Sequence, residues 1–305
     1  MPAALASAGG FTSVFVSAAD GLQLHARCIG PRRSSALPVI CLPGLTRTAN
    51  DFDTLATALV EENPDRRVIS LDYRGRGQSD YDRNPANYNP AVELGDVVAV
   101  LTALDAMPAV FVGTSRGGIL TMLLAATQPA AIAAAVLNDI GPVIEIEGLL
   151  RIKGYVGHLP QPKDYSDAAA ILRRLFGPQF PKLDDNDWLA SARRAFKDEN
   201  GRLVPTYDVN LARTLDGVVR DMPLPALWPQ FDALAAVPVM VIRGALSDLL
   251  SAATVEAMRA RHPSLEFVEV PDQGHAPLLT DQATMDRIVA FIGAVQSDRA
   301  SASRR

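Results

Sequence analysis

The chain has 305 residues, 48% of them hydrophobic and 21% charged, the balance of a globular protein able to bury a large core rather than of a disordered or fibrous one. A formal net charge of -5 argues against a nucleic-acid binder, whose domain or face is strongly basic. The first ten residues lack a basic stretch followed by an apolar one, and no run reaches transmembrane length, so neither a secretory signal nor a membrane span is expected and a cytoplasmic location is the default.

Taken in chain order, Phe11–Ser17 and Leu22–Ile29, joined at Asp20-Gly21, read as an opening antiparallel hairpin. Val39–Leu42, Val68–Leu71, Ala109–Gly113, Ala134–Asn138, Val237–Arg243 and Leu265–Val270 follow as short, branched, almost continuously apolar runs, the pattern of strands covered on both faces. Cys28 and Cys41 fall inside such runs and read as small core residues. Helical patterns fill the gaps, one over Asp51–Glu61 and one starting at Pro90 behind the capping residue Asn89. This alternation predicts an α/β fold with a mostly parallel eight-stranded sheet and helices on both faces.

Between 141 and 232 strand character disappears. Candidate helices at Gly148–Val156, Asp167–Phe176, Asp187–Lys197 and Asn210–Leu215, separated by proline-containing stretches, predict a helical cap inserted into a core made of 1–140 and 233–297. Residues 298–305, polar and small, are expected to form a disordered tail.

The run Ala109–Gly118 contains Gly113-Thr114-Ser115-Arg116-Gly117 between an apolar strand and an apolar helix. A sharp turn that thrusts a serine hydroxyl outward leaves no room for side chains two residues before and after it, which is why the glycines stand there. A serine hydroxyl is a weak nucleophile and needs a base. Of His25, His158, His262 and His275, only His275 follows the last predicted strand, in a loop able to reach the sheet edge. An acid must orient the imidazole. Asp248, after the strand Val237–Arg243, is preferred, and Asp139, after the preceding strand, is its rival. An oxyanion would need two backbone donors, for which the amides of Arg116 and of Leu45, in Pro43-Gly44-Leu45, are the candidates. Arg47 and Arg116 are candidate substrate carboxylate binders; the competing reading for each is a structural ion pair, for example with Asp51 or Asp139.

Leu42-Pro43-Gly44, the turn Asp72–Ser79, the serine turn, the Asp248 loop and Gly274-His275 together resemble the α/β-hydrolase superfamily over nearly the whole chain. Pro43-Gly44 departs from the His-Gly of many relatives. The resemblance implies that the cap forms a lid, and that the chemistry is hydrolysis of a carboxylic ester or lactone of a small-molecule substrate through an acyl-enzyme. Relatives with the same triad cleave C–C bonds in 1,5-diketones or hydrolyse enol lactones and amides, and a ligand-binding receptor on the same scaffold stands as a further alternative. No phosphate-cradling glycine motif and no histidine at ligand spacing from Asp51 or Asp53 is present, so no cofactor and no metal are expected.

Overall fold

The computed structural model describes residues 4–6, 10–221 and 224–302. Its central sheet has nine strands. The eight anticipated ones are β2 (Thr12–Ser17), β3 (Gln23–Ile29), β4 (Val39–Leu42), β5 (Val68–Leu71), β6 (Ala109–Thr114), β7 (Ile132–Asn138), β10 (Val239–Gly244) and β11 (Glu266–Val270); β1 (Ala4–Ala6) adds a short edge. Strands lie in the order β1-β2-β3-β5-β4-β6-β7-β10-β11. The pairs β1/β2, β2/β3 and β3/β5 are antiparallel and every other pair is parallel. All residues of β4, β5 and β7 are buried, because helices cover both faces of the parallel part.

Helices α1 (Asp53–Glu62) and α9 (Gln282–Ala302) cover one face. The other is covered by α2 (Pro90–Ala103), α3 (Arg116–Thr127) and α8 (Ala252–Arg261). Asn89 caps α2 as anticipated, its side chain accepting from the amides of Ala91 and Val92. The tail differs from expectation, since α9 continues through Ala302; residues 303–305 lie outside the described residues. Both cysteines are free and buried, and burial pushes the Cys41 thiol up to about 12.

The segment inserted between β7 and β10 holds α4 (Ile146–Tyr155), α5 (Tyr165–Phe176), α6 (Asp185–Ala195) and α7 (Trp228–Asp232). It also holds a hairpin of β8 (Phe196–Glu199) and β9 (Arg202–Pro205), where only helices were anticipated. The reason is local. Asn200 and Gly201 both take positive φ, 56° and 79°, the paired left-handed turn for which Asn-Gly is the best dipeptide. Helices α5 and α6 and this hairpin share a small core of Leu172, Phe180, Trp188, Phe196 and Leu203. Helix α7 instead packs on α3, and Phe231 joins the main core, so the last turns before residue 232 cover the sheet. Among the described residues no helix is long and apolar enough to cross a membrane.

Candidate active site

Ser115 sits between β6 and α3 with φ 49° and ψ -109°, a conformation that holds a non-glycine residue only when its surroundings impose it. The flanking glycines show how. A Cβ at Gly113 would lie 2.6 Å from the backbone of Gly117, and one at Gly117 would lie 2.0 Å from the carbonyl oxygen of Leu42 in β4. The turn is pressed against the middle of the sheet and the hydroxyl is aimed outward.

His275, in the loop after β11, places Nε2 2.9 Å from Ser115 Oγ and Nδ1 2.7 Å from Asp139 Oδ2. A carboxylate only accepts, so Nδ1 carries the proton and Nε2 is left to accept from the serine hydroxyl. Asp139, fully buried at the end of β7, takes φ 54°, in the left-handed region that aspartate tolerates better than most residues. Its Oδ1 accepts from the Gly244 amide at 2.8 Å and its Oδ2 from the Ser247 hydroxyl at 2.6 Å. Three groups, the His275 imidazole, the Gly244 amide and the Ser247 hydroxyl, therefore converge on one carboxylate.

The acid preferred from sequence stands elsewhere. Asp248 is held in a bidentate pair by Arg151 of α4, with Nε–Oδ2 2.6 Å and Nη2–Oδ1 2.9 Å. Burial pushes its carboxyl up, but the hydrogen bonds and charge of Arg151, helped by Gln179, outweigh this and hold it below the usual carboxylate range. The loop expected to deliver an acid delivers the Ser247 hydroxyl to Asp139 and clasps the inserted segment through Asp248.

Asn138 is a residue the sequence reading passed over. Its amide donates to Thr114 Oγ1 at 3.0 Å and to the Pro277 carbonyl at 2.9 Å, tying the His275 loop to the serine strand. Its place one residue before Asp139 was the available signal. The remaining histidines lie apart from the serine. His25 is buried between Asp72 and Ser13, and His262 contacts the Val237 carbonyl through Nε2 at 3.0 Å. His158 follows α4, its amide donating to the Tyr155 carbonyl.

The loop Pro43-Gly44-Leu45 borders the same pocket, with a Cβ at Gly44 falling 3.9 Å from Ser115 Cβ. Its three carbonyls are all engaged. Pro43 accepts from the Tyr73 hydroxyl at 3.1 Å, Gly44 from the Arg47 amide at 3.1 Å and Leu45 from Arg76 Nε at 2.9 Å. The Arg116 amide, first in α3, has no acceptor within its helix.

The two candidate arginines part company. Arg116 turns away from the pocket, its Nε 3.2 Å from Glu93 Oε2, so its partner is neither Asp51 nor Asp139. Arg47 lines the pocket together with Arg194 of α6, and both reach the Oδ1 of Asp51, at 3.6 Å and 3.3 Å. These contacts are loose beside the bidentate pair of Asp248. Burial lowers the Arg194 pKa, opposed by Asp51. The rest of the lining is largely apolar, with Leu172, Phe176, Phe180 and Trp188 contributed by the inserted segment. Among the described residues, no group of three or more His, Cys, Asp or Glu side chains is placed to hold a metal ion.

Comparison with known proteins identifies the family of the fold. The model of the α/β hydrolase family matches residues 39–289. The chain is 34% identical over 254 residues to a 3-hydroxybutyrate-oligomer hydrolase of Cupriavidus necator, covering 80% of this chain and 84% of that one. It is 26% identical to a 2-(acetamidomethylene)succinate hydrolase of Mesorhizobium japonicum over 82% and 86% of the two chains. The crystal structure of an α/β hydrolase from Novosphingobium aromaticivorans superposes with a TM-score of 0.87 at 42% identity, covering 94% of this chain and 99% of that one. By fold, by family match and by relatives over most of its length, the chain is a hydrolase that belongs to the α/β-hydrolase family.

Proposed function

We propose that the protein hydrolyses a small carboxylic ester or lactone through an acyl-enzyme on Ser115. The observation that carries this reading is the unbroken relay from Ser115 Oγ through His275 to Asp139, at 2.9 Å and 2.7 Å, opening on a largely apolar pocket. His275 takes the serine proton as Oγ attacks the carbonyl carbon and returns it to the leaving alcohol; Asp139 fixes the tautomer and stabilises the imidazolium. The amides of Leu45 and Arg116 receive the oxyanion. Water, activated by the same histidine, then releases the acid and frees Ser115.

Arg47 and Arg194 supply a preference for substrates that carry a free carboxylate. Two guanidiniums face one carboxylate in an otherwise uncharged, largely apolar lining, and an added anion completes the charge balance through paired, charge-assisted hydrogen bonds. The relative from Cupriavidus necator is a hydrolase of 3-hydroxybutyrate oligomers, molecules that are chemically carboxylate-ended esters. A cavity of about 140 Å³ suits a short acyl group or a single ring, near the size that admits benzene.

The test is a panel containing the 3-hydroxybutyrate dimer acid, its neutral methyl ester, a lactone and a ring-cleavage 1,5-diketone. The wild type turns over the dimer acid and Ser115→Ala does not. Arg47→Met and Arg194→Met each raise KM for the dimer acid by about tenfold, the worth of one charge-assisted hydrogen bond, and leave the methyl ester nearly unchanged. Equal effects on acid and methyl ester remove the arginines from recognition; turnover of the diketone alone moves the reading to C–C bond hydrolysis.

A further inference from the structure

Three charged side chains lie behind the oxyanion donors, outside the pocket. Arg76, from the turn after β5, and Glu93, from α2, are both fully buried, and the Arg116 side chain is 12% exposed. Arg76 Nη1 stands 2.8 Å from Glu93 Oε1, and Arg116 Nε 3.2 Å from Glu93 Oε2. The Arg76 guanidinium lies 5.5 Å and 5.7 Å from the ring centroids of Tyr73 and Tyr88. A chain of contacts thus runs from the Leu45 carbonyl, through Arg76 and Glu93, to Arg116, and its two ends are the two residues whose amides are assigned above to the oxyanion.

Such a cluster is a poor device for stability. Taking three charges out of water is rarely repaid by their mutual attraction, and apolar replacements of similar volume are often neutral or stabilising. Two arginines against one glutamate also leave one positive charge uncompensated within the cluster. In the resting site Asp139 already faces His275, and when His275 gains a proton the pair neutralises itself. The group that lacks a counter-charge at that moment is the oxyanion, on the side of the site where this surplus lies.

We propose that Arg76, Glu93 and the Arg116 side chain are positioning residues of the oxyanion hole. They fix the Leu45 and Arg116 amides relative to each other and place behind them a net positive charge that is matched when the tetrahedral intermediate forms. Tyr73, holding the Pro43 carbonyl, braces the same loop. This rests on the serine-hydrolase reading above.

The decisive protein is the triple variant Arg76→Met/Glu93→Leu/Arg116→Met, which keeps volume and removes all three charges. Its Tm stays within a few degrees of the wild type, since losing the Arg76 donors to the Leu45 and Arg74 carbonyls offsets the gain from removing buried charges. With p-nitrophenyl acetate its kcat falls by about 10- to 100-fold, below or near the loss from deleting one oxyanion donor, with KM little changed. Affinity for phenylboronic acid, which forms a tetrahedral adduct on the serine, weakens by the same factor. A folded triple variant that retains wild-type kcat and boronate affinity overturns the proposal, as does a loss of kcat with boronate binding intact. Should the triple variant not fold, Arg116→Met, at the least buried of the three positions, leaves a neutral Arg76–Glu93 pair and provides the same comparison: kcat and boronate affinity falling together support the proposal, and both unchanged overturn it. If the wild type neither cleaves the ester nor reacts with a fluorophosphonate at Ser115, the serine-hydrolase reading itself fails.

Discussion

Asp139→Asn lowers kcat by about 10⁴-fold, the loss seen when the orienting carboxylate of a serine triad becomes an amide, while Asp248→Asn leaves kcat within about fivefold. The amide of an asparagine at 139 can still accept from the Gly244 amide through its oxygen, so the fold persists. Its NH2 group then faces His275 Nδ1 and the Ser247 hydroxyl, where an acceptor stood at 2.7 Å and 2.6 Å. The imidazole is pushed to the tautomer with its proton on Nε2, which cannot accept from Ser115.

Asp248→Asn breaks a different connection, the pair with Arg151, and loosens α4 over the site. Its effect is on KM and on Tm. The sign of its pH dependence follows from the lowered Asp248 pKa. The clasp contributes its full stabilisation above the unfolded carboxylate pKa, about 4, and loses it as pH falls through the lower folded value. The Tm difference between wild type and Asp248→Asn is therefore constant near neutrality and closes on acidification below about pH 4. A larger kcat loss for Asp248→Asn than for Asp139→Asn would contradict the assignment.

Gly117→Ala is expected to destabilise the protein by at least about 3 kcal/mol, the upper range of core overpacking, and to lower Tm by about 5–10 °C. A methyl there meets the Leu42 carbonyl oxygen at 2.0 Å and its carbon at 2.6 Å. Both atoms belong to the central strand β4, fully buried and paired on each side by β5 and β6, so neither can yield without shifting the sheet. Gly95→Ala is the matched control: it lies exposed in α2 with nothing within 4 Å of the added carbon, and gains about 0.5–1 kcal/mol from helix propensity. Urea denaturation of the two variants reads both signs, and wild-type stability in Gly117→Ala would refute the steric account of the turn.

The parts of the site that follow from strand ends were legible in the sequence. Ser115 and His275 are placed by a strand, a turn and a loop, each with its own local signature. The choice between Asp139 and Asp248 was not legible, because β7 and β10 are neighbours and a histidine loop beyond β11 can address the end of either. What separates them is Arg151, ninety-seven residues away from Asp248 in the inserted segment, a contact that no local pattern announces. The same holds for Arg116: its nearness to Ser115 suggested the pocket, but the first turn of α3 directs the side chain to Glu93. The β8/β9 hairpin was missed for the opposite reason, since its Asn200-Gly201 signal was local and was outweighed by the helical spacing around it.

The proposed mechanism requires that Ser115, driven by His275 and Asp139, becomes acylated. Mass spectrometry of the intact protein and of its Ser115 peptide, quenched within the first turnover of p-nitrophenyl acetate, tests it directly. An added acetyl group on Ser115, formed by the wild type, slow to form in Asp139→Asn and missing in Ser115→Ala, is the predicted result. Turnover with no acyl group on Ser115 at any time, or acylation that persists in Ser115→Ala, would contradict it.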